Sequence, residues 1–194
     1  MPTPAELANF YWYCAAAAQL IEQLPGNAAT RSVSRHAVRN ATNALTGNKG
    51  VPYASVAARK VCMANGGSWE RCGLRREHAI PVGHIHRELV AAIWAPRSDL
   101  ALAEARGRLD EEMAATPVKS GAFAGFPSNP RIAIVVDIIR ASTALAWLTE
   151  EEDDLLKARL GDGSWSLNQR MPPGWGGKDP LARYRFCKID VLEI

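Results

Sequence analysis

The chain is short of the features that would settle its class at once. It has four cysteines, Cys14, Cys62, Cys72 and Cys187, and none forms a C-x-x-C pair. The ten-residue step from Cys62 to Cys72 is too wide for a zinc knuckle, so the thiols read as reduced rather than as a disulfide or zinc framework. Long apolar runs are missing too. The most apolar later stretch, Ile132 to Ile139, contains Asp137 and is too short to span a bilayer. The apolar segment from Phe10 to Leu20 has no cation before it, because the first is Arg31. It therefore lacks the basic flank of an export signal, which sets the expectation of a cytoplasmic protein with no membrane partner. Net charge is small, +3 with a pI near 8.8, too weak by itself to argue for nucleic acid. There is no internal repeat and no low-complexity tail.

What is present suits a core-forming chain. At 194 residues, with 47% hydrophobic and 22% charged residues, residues 1–194 are expected to form a single globular domain with a core that needs no staples. The charge is uneven. Residues 1–90 carry ten Lys and Arg against five Asp and Glu, which implies a basic surface on the N-terminal half or cations spread over a solvated one.

The patterning predicts a mainly α fold, α+β in so far as a few short strands occur near residues 74–82 and 189–194. Thr3 caps a helix with Pro4 in first position, running to about Leu24 and stopping at Pro25-Gly26. A second helix fits Ser32 to Leu45, ended by Gly47. Arg31, Arg35 and Arg39 fall four apart along it, a row that could straddle phosphates or face solvent. A third helix fits Ser55 to Ala64. Pro81 forbids a helix interior, so Leu74 to Val82 reads as extended or loop and a helix starts near Gly83 or His84, ending at Ala95-Pro96. Ser98 caps Asp99 to Ala115. Residues 116–130, rich in glycine and proline, are a candidate boundary or mobile connection, with Phe123 and Phe126 as docking points. Ile132 to Ile139 reads as a helix capped by Asn129, with a buried strand as alternative, and Ala144 to Leu148 as a strand or a continuation. Thr149 and Glu152 have capping-box spacing ahead of Leu155, Leu156 and Leu160, with a stop at Gly161. Met171 to Gly177 is an aromatic turn. Asp179-Pro180 opens a short last helix, and Ile189 to Ile194 fits an edge strand.

The only stretch that suggests chemistry is Arg75-Arg76-Glu77-His78-Ala79-Ile80-Pro81-Val82-Gly83-His84-Ile85-His86, which holds three of the four histidines. Its Glu77-His78-x-x-Pro81 resembles the opening of the HNH (ββα-metal) nuclease motif. The resemblance implies Glu77 as ligand of a divalent cation, magnesium or manganese, and His78 as the general base that activates water against a phosphodiester. An imidazole near its pKa accepts a proton at neutral pH, and a metal offsets charge on the scissile phosphate. Arg35, Arg39, Arg75 and Arg76 would then lie on the phosphates of a nucleic acid, with His84, His86 and Arg183 as further cleft residues. The chain departs from that motif in lacking a histidine after His86, and its later asparagines are only Asn129 and Asn168.

Other readings of the same residues stay open. His78, His84 and His86 could ligate a transition metal if the segment were extended, whereas a helix would turn His84 and His86 roughly 200° apart. Glu77 and His78 could instead be a buried polar pair, the carboxylate holding an arginine. A broader resemblance, to a group of small bacterial proteins of phage and mobile-element neighbourhoods, rests on Glu77-His78-x-x-Pro81, Thr149-x-x-Glu152, Met171-Pro172-x-Gly174-Trp175 and Asp179-Pro180-x-Ala182-Arg183-Tyr184. It carries no activity. These positions fit packing, with Trp175 as a lid and Arg183 paired to the acidic turn Glu150 to Asp154, or a cleft that joins Glu77, His78 and Arg183. Two functions follow: a metal-dependent nuclease, or a non-catalytic mobile-element protein that binds and inhibits a host defence complex.

Overall fold

The computed structural model describes residues 2–25, 28–46, 51–158 and 166–194. Among these the chain is mainly α with a small mixed sheet. In order, the elements are α1 (Pro4–Glu22), α2 (Ala28–Thr46), β1 (Tyr53–Ser55), α3 (Val56–Ala64), β2 (Arg75–His78), α4 (Val82–Trp94), α5 (Asp99–Ala115), α6 (Arg131–Ser142), β3 (Leu145–Leu148), α7 (Glu150–Lys157), α8 (Ala182–Phe186) and β4 (Val191–Glu193). They group into two compact units, one of Met1–Lys49 with Ile85–Ser142, the other of Gly50–His84 with Thr143–Ile194.

The first unit is helical. Thr3 and Glu6 close a capping box at α1, and Pro4 sits where no amide partner is needed. The helix buries Phe10, Cys14, Ala17, Ala18 and Ile21 along one stripe. It packs on α2 and α6, and α5 packs on α6. A polar cluster ties α1, α5 and α6 together. The Tyr11 hydroxyl donates to Glu112 Oε1 at 2.8 Å, and Arg140 donates to Glu112 Oε2 at 2.6 Å and to the Tyr11 hydroxyl at 3.0 Å. Arg140 holds the Glu112 carboxyl below its usual range, while burial pushes the Tyr11 phenol up, so each group keeps the protonation state that its hydrogen bonds require. Residues 116–130 dock on α1: Phe123 meets the Tyr11 ring edge-on at 5.6 Å, Phe126 meets Trp12 at 5.1 Å, and Trp12 Nε1 donates to the Ala122 carbonyl at 3.0 Å.

The second unit carries the sheet, in the order β2-β3-β1-β4. β3 runs parallel to β1 and antiparallel to β2, and β4 is antiparallel to β1 on the far edge. All four β3 residues are buried, as expected of a strand covered on both faces. Their alternation feeds two cores. Ala146 and Leu148 join Ala79, Leu156, Leu167 and Tyr184, whereas Leu145 and Trp147 join Val51, Ala54 and Ala58.

Several boundaries differ from the sequence reading. Strand β1 was not expected. Three residues after Pro52 are too few to show a period, and their pairing with β3 and β4 is what makes them a strand. Helix α2 begins at Ala28, four residues before Ser32, because Ala28-Ala29-Thr30 propagates the helix without a cap at Ser32. Residues 132–139 are helix and 145–148 are strand. The expected stops at Gly26, Gly47 and Gly161, and the place of Leu160, lie outside the described residues.

The capping box at α7 reaches beyond its own helix. Glu152 Oε2 accepts from the Thr149 amide at 2.9 Å and also from the hydroxyl of Ser55, a fully buried residue, at 2.5 Å. One carboxylate thus closes α7 and satisfies the cap residue of α3. Glu152→Ala is therefore expected to cost about 2 kcal/mol in urea unfolding, against about 1 kcal/mol for Thr149→Ala. Equal losses would mean that the Ser55 contact adds nothing.

Candidate functional site

The histidine stretch folds as strand, turn and helix. β2 pairs Glu77 with Ala146 and His78 with Leu145. The turn at Ala79 to Pro81 is buried and pinned, with the Ala79 amide on the Ala144 carbonyl at 2.8 Å. Pro81 precedes α4, where its missing amide costs nothing.

Glu77 and Arg183 meet here. Arg183 is fully buried. Its Nη2 donates to Glu77 Oε1 at 2.6 Å and to the His78 carbonyl, and its Nη1 donates to the Leu167 carbonyl at 2.9 Å. The guanidinium also lies 5.1 Å from the centre of the Tyr184 ring. Burial pushes the Tyr184 phenol up to about 12, so it stays neutral and donates to the Glu77 carbonyl at 3.3 Å. Two residues of α8 thereby clamp the end of β2. The expected pairing of Arg183 with the acidic turn is corrected: Arg183 reaches Glu77, and the acidic turn takes Arg75 through Glu150 at 2.6 Å. The reason is geometric. Arg75 lies opposite Leu148, one residue before the cap of α7, which brings it beside Glu150.

The donor set bears on the implied metal. Glu77 already serves a buried cation, and among the described residues no three His, Cys, Asp or Glu side chains gather as a metal site. His84 and His86 both lie on α4 and face different partners. His84 meets Trp175 edge-on at 5.0 Å, and His86 Nε2 shares a 2.7 Å hydrogen bond with the Ser34 hydroxyl. The residues present therefore do not fit a divalent ion held by Glu77 as they stand. Trp175 is fixed in turn by its Nε1 on the Asp179 carbonyl at 2.7 Å, following Gly174 at φ 76°, a backbone state that favours glycine.

The cationic candidates divide between the units. Arg75 is exposed and paired, and Arg76 lies over the Trp147 ring at 5.9 Å, both in the second unit. Arg35 and Arg39 belong to α2 of the first unit. There Arg35 lines a cleft of about 490 Å³ with Arg31, His86, Arg87 and Trp94, whereas Arg39 is exposed outside it. His86 is only 3% exposed. Burial, then the charges of Arg35, Arg31 and Arg87, lowers its pKa to about 4, so the imidazole is neutral at pH 7. Sequence reasoning saw the α2 arginine row and named His86. It missed that Arg87 and Trp94 join Arg31, Arg35 and His86, because the meeting of α2 with α4 has no local signal.

No family model matches the chain, and neither a curated protein nor a solved structure matches it.

Proposed function

We propose that this chain acts by binding rather than by cutting, as a non-catalytic mobile-element protein that engages a host protein complex, with the histidine stretch serving as a structural lock. The observation that carries this reading is the 2.6 Å ion pair between Glu77 and the fully buried Arg183. A divalent ion that took the place of that guanidinium on Glu77 would leave it uncompensated in the interior, a cost of about 3–5 kcal/mol set against metal binding. The wider resemblance through Met171 to Trp175 and Asp179 to Tyr184 supports the same reading. In the second unit Arg183 and Tyr184 of this set hold the end of β2, and Trp175 packs on His84.

A second reading, the HNH-like nuclease, is favoured by one observation: His78 ends a strand of an antiparallel pair directly before a helix, the order of strand and helix in that motif. One assay separates the two. Purified protein and His78→Ala are incubated with supercoiled plasmid and magnesium, manganese or zinc, with EDTA as control. The expected result is no nicking with any metal by either protein. Metal-dependent nicking by the wild type that disappears in a folded His78→Ala would overturn the binding reading.

A further inference from the structure

We propose that Cys62 and Cys72 form a thiol pair that a hydroperoxide oxidises to a disulfide, a modification site on the segment that joins α3 to β2. It goes beyond the preceding reading and stands apart from it, since it uses none of Glu77, His78 and Arg183.

The turn that ends α3 brings the two together. Cys62 lies in the last turn of that helix. Gly66 and Gly67 follow at φ 83° and 80°, left-handed values that suit glycine and reverse the chain. The Gly67 amide then donates back to the Cys62 carbonyl at 2.9 Å. A short 3-10 turn, Trp69–Arg71, carries the chain on to Cys72, and the Trp69 ring anchors it by stacking on Trp147 at 6.1 Å. The Cys72 Sγ donates to the Ser68 carbonyl at 2.9 Å and lies 3.9 Å from the Cys62 carbonyl oxygen. The two thiols are within hydrogen-bonding reach of each other. A disulfide asks the sulfurs to close to about 2 Å with the Cα atoms within about 7 Å. The loop has room for that last movement. Open space surrounds Gly66, Gly67 and Gly73, the last of which follows Cys72 directly.

Exposure divides the roles. Cys72 is half-buried and open to an oxidant, whereas Cys62 is buried. Burial first, and then the neighbouring Cys72, pushes the Cys62 thiol up, so Cys62 waits as the protonated partner. Cys72, as its thiolate, attacks one peroxide oxygen. The S–O bond forms, the O–O bond breaks, and the alkoxide takes a proton and leaves as an alcohol, or as water from hydrogen peroxide. The Cys62 sulfur then attacks the Cys72 sulfur of that sulfenic acid. The S–S bond forms, the S–O bond breaks, and the hydroxide leaves as water with the Cys62 proton. Two thiols and one hydroperoxide thus give one disulfide, one alcohol and one water. The remaining thiols are placed elsewhere: Cys14 is buried in the first unit, and Cys187 donates to the Leu155 carbonyl at 4.0 Å.

Peptide mapping of the full, folded chain tests this with hydrogen peroxide as the probe. Trypsin cuts after Lys60, Arg71 and Arg75, so the two cysteines fall on separate peptides, 61–71 and 72–75. After oxidation these are expected to travel as one species, two hydrogens lighter than their sum, and to separate on treatment with dithiothreitol. The count of free thiols should fall from four to two. The melting temperature of the oxidised protein should rise by about 5 °C, because the closed loop restricts the unfolded chain. Cys62→Ser should leave Cys72 as a sulfenic acid that dimedone captures, Cys72→Ser should leave Cys62 a thiol, and Cys187→Ser should oxidise as the wild type does. The wild-type map decides the question even if a variant folds poorly. The proposal is overturned if peroxide leaves both residues as thiols, if Cys72 joins Cys187 or a second chain, or if oxidation stops at Cys72 with Cys62 still free. It is equally overturned if the joined pair leaves the melting temperature unchanged or lower, since the native fold would then not accommodate the bond.

Discussion

Glu77→Ala is expected to destabilise the protein by about 3 kcal/mol or more, measured by urea unfolding, with the loss in unfolding free energy and not in any catalytic step. Removing this carboxylate leaves the guanidinium of Arg183 fully buried with only the carbonyls of Leu167 and His78 as acceptors. Arginine cannot neutralise itself by losing a proton, so the charge stays and its desolvation goes uncompensated. Arg183→Met should cost less, about 2 kcal/mol, because the Glu77 side chain is 25% exposed and water can solvate it. The double variant Glu77→Leu/Arg183→Met should lose less than the sum of the singles, since no buried charge remains unmatched. A Glu77→Ala protein as stable as the wild type would sink the lock. Such a protein would instead suit the metal-ligand reading, which expects Glu77 to be dispensable for folding.

Acid should weaken the first unit through His86. Its folded pKa, about 4, lies below the ordinary 6.5, so between those values the unfolded chain binds a proton that the native state refuses. Stability therefore rises with pH across that window. The contribution is fully present above pH 6.5, falls as the pH drops, and is spent near pH 4, where the loss reaches roughly 3 kcal/mol at most. Carboxylates titrate over part of the same range, so the wild type must be compared with His86→Gln, whose side chain can still bond Ser34 but cannot titrate. The gap between the two unfolding free energies should shift in favour of the variant from pH 7.5 to pH 4.5. A gap independent of pH would show that His86 does not charge on unfolding.

The two residue sets differ in how far they could be read from the chain. The Thr3 and Thr149 capping boxes, the Ser98 cap and the apolar stripe of α1 are local patterns, and each appears where its spacing places it. Phe123 and Phe126 dock as their isolation in a polar connection suggests. The partner of Arg183 was not legible, because the acidic run at 150–154 and the single carboxylate of Glu77 are equal candidates until the register of β2 on β3 is known. The arginine cleft was legible only as half a pattern, the row on α2, since Arg87 and Trp94 lie some fifty residues further along.

By itself the sequence determined the mainly α class, the helix starts capped by Thr3, Ser98 and Thr149, and the one stretch rich in histidine and arginine. These depend on interactions within a few residues, which periodicity and capping chemistry report directly. The tertiary structure alone decided that three residues after Pro52 become a strand, that Glu77 is held by a buried arginine, and that Arg31, Arg35, His86 and Arg87 share a cleft. Each of those joins groups distant along the chain, and which distant groups meet is set by packing, for which no single segment carries the information.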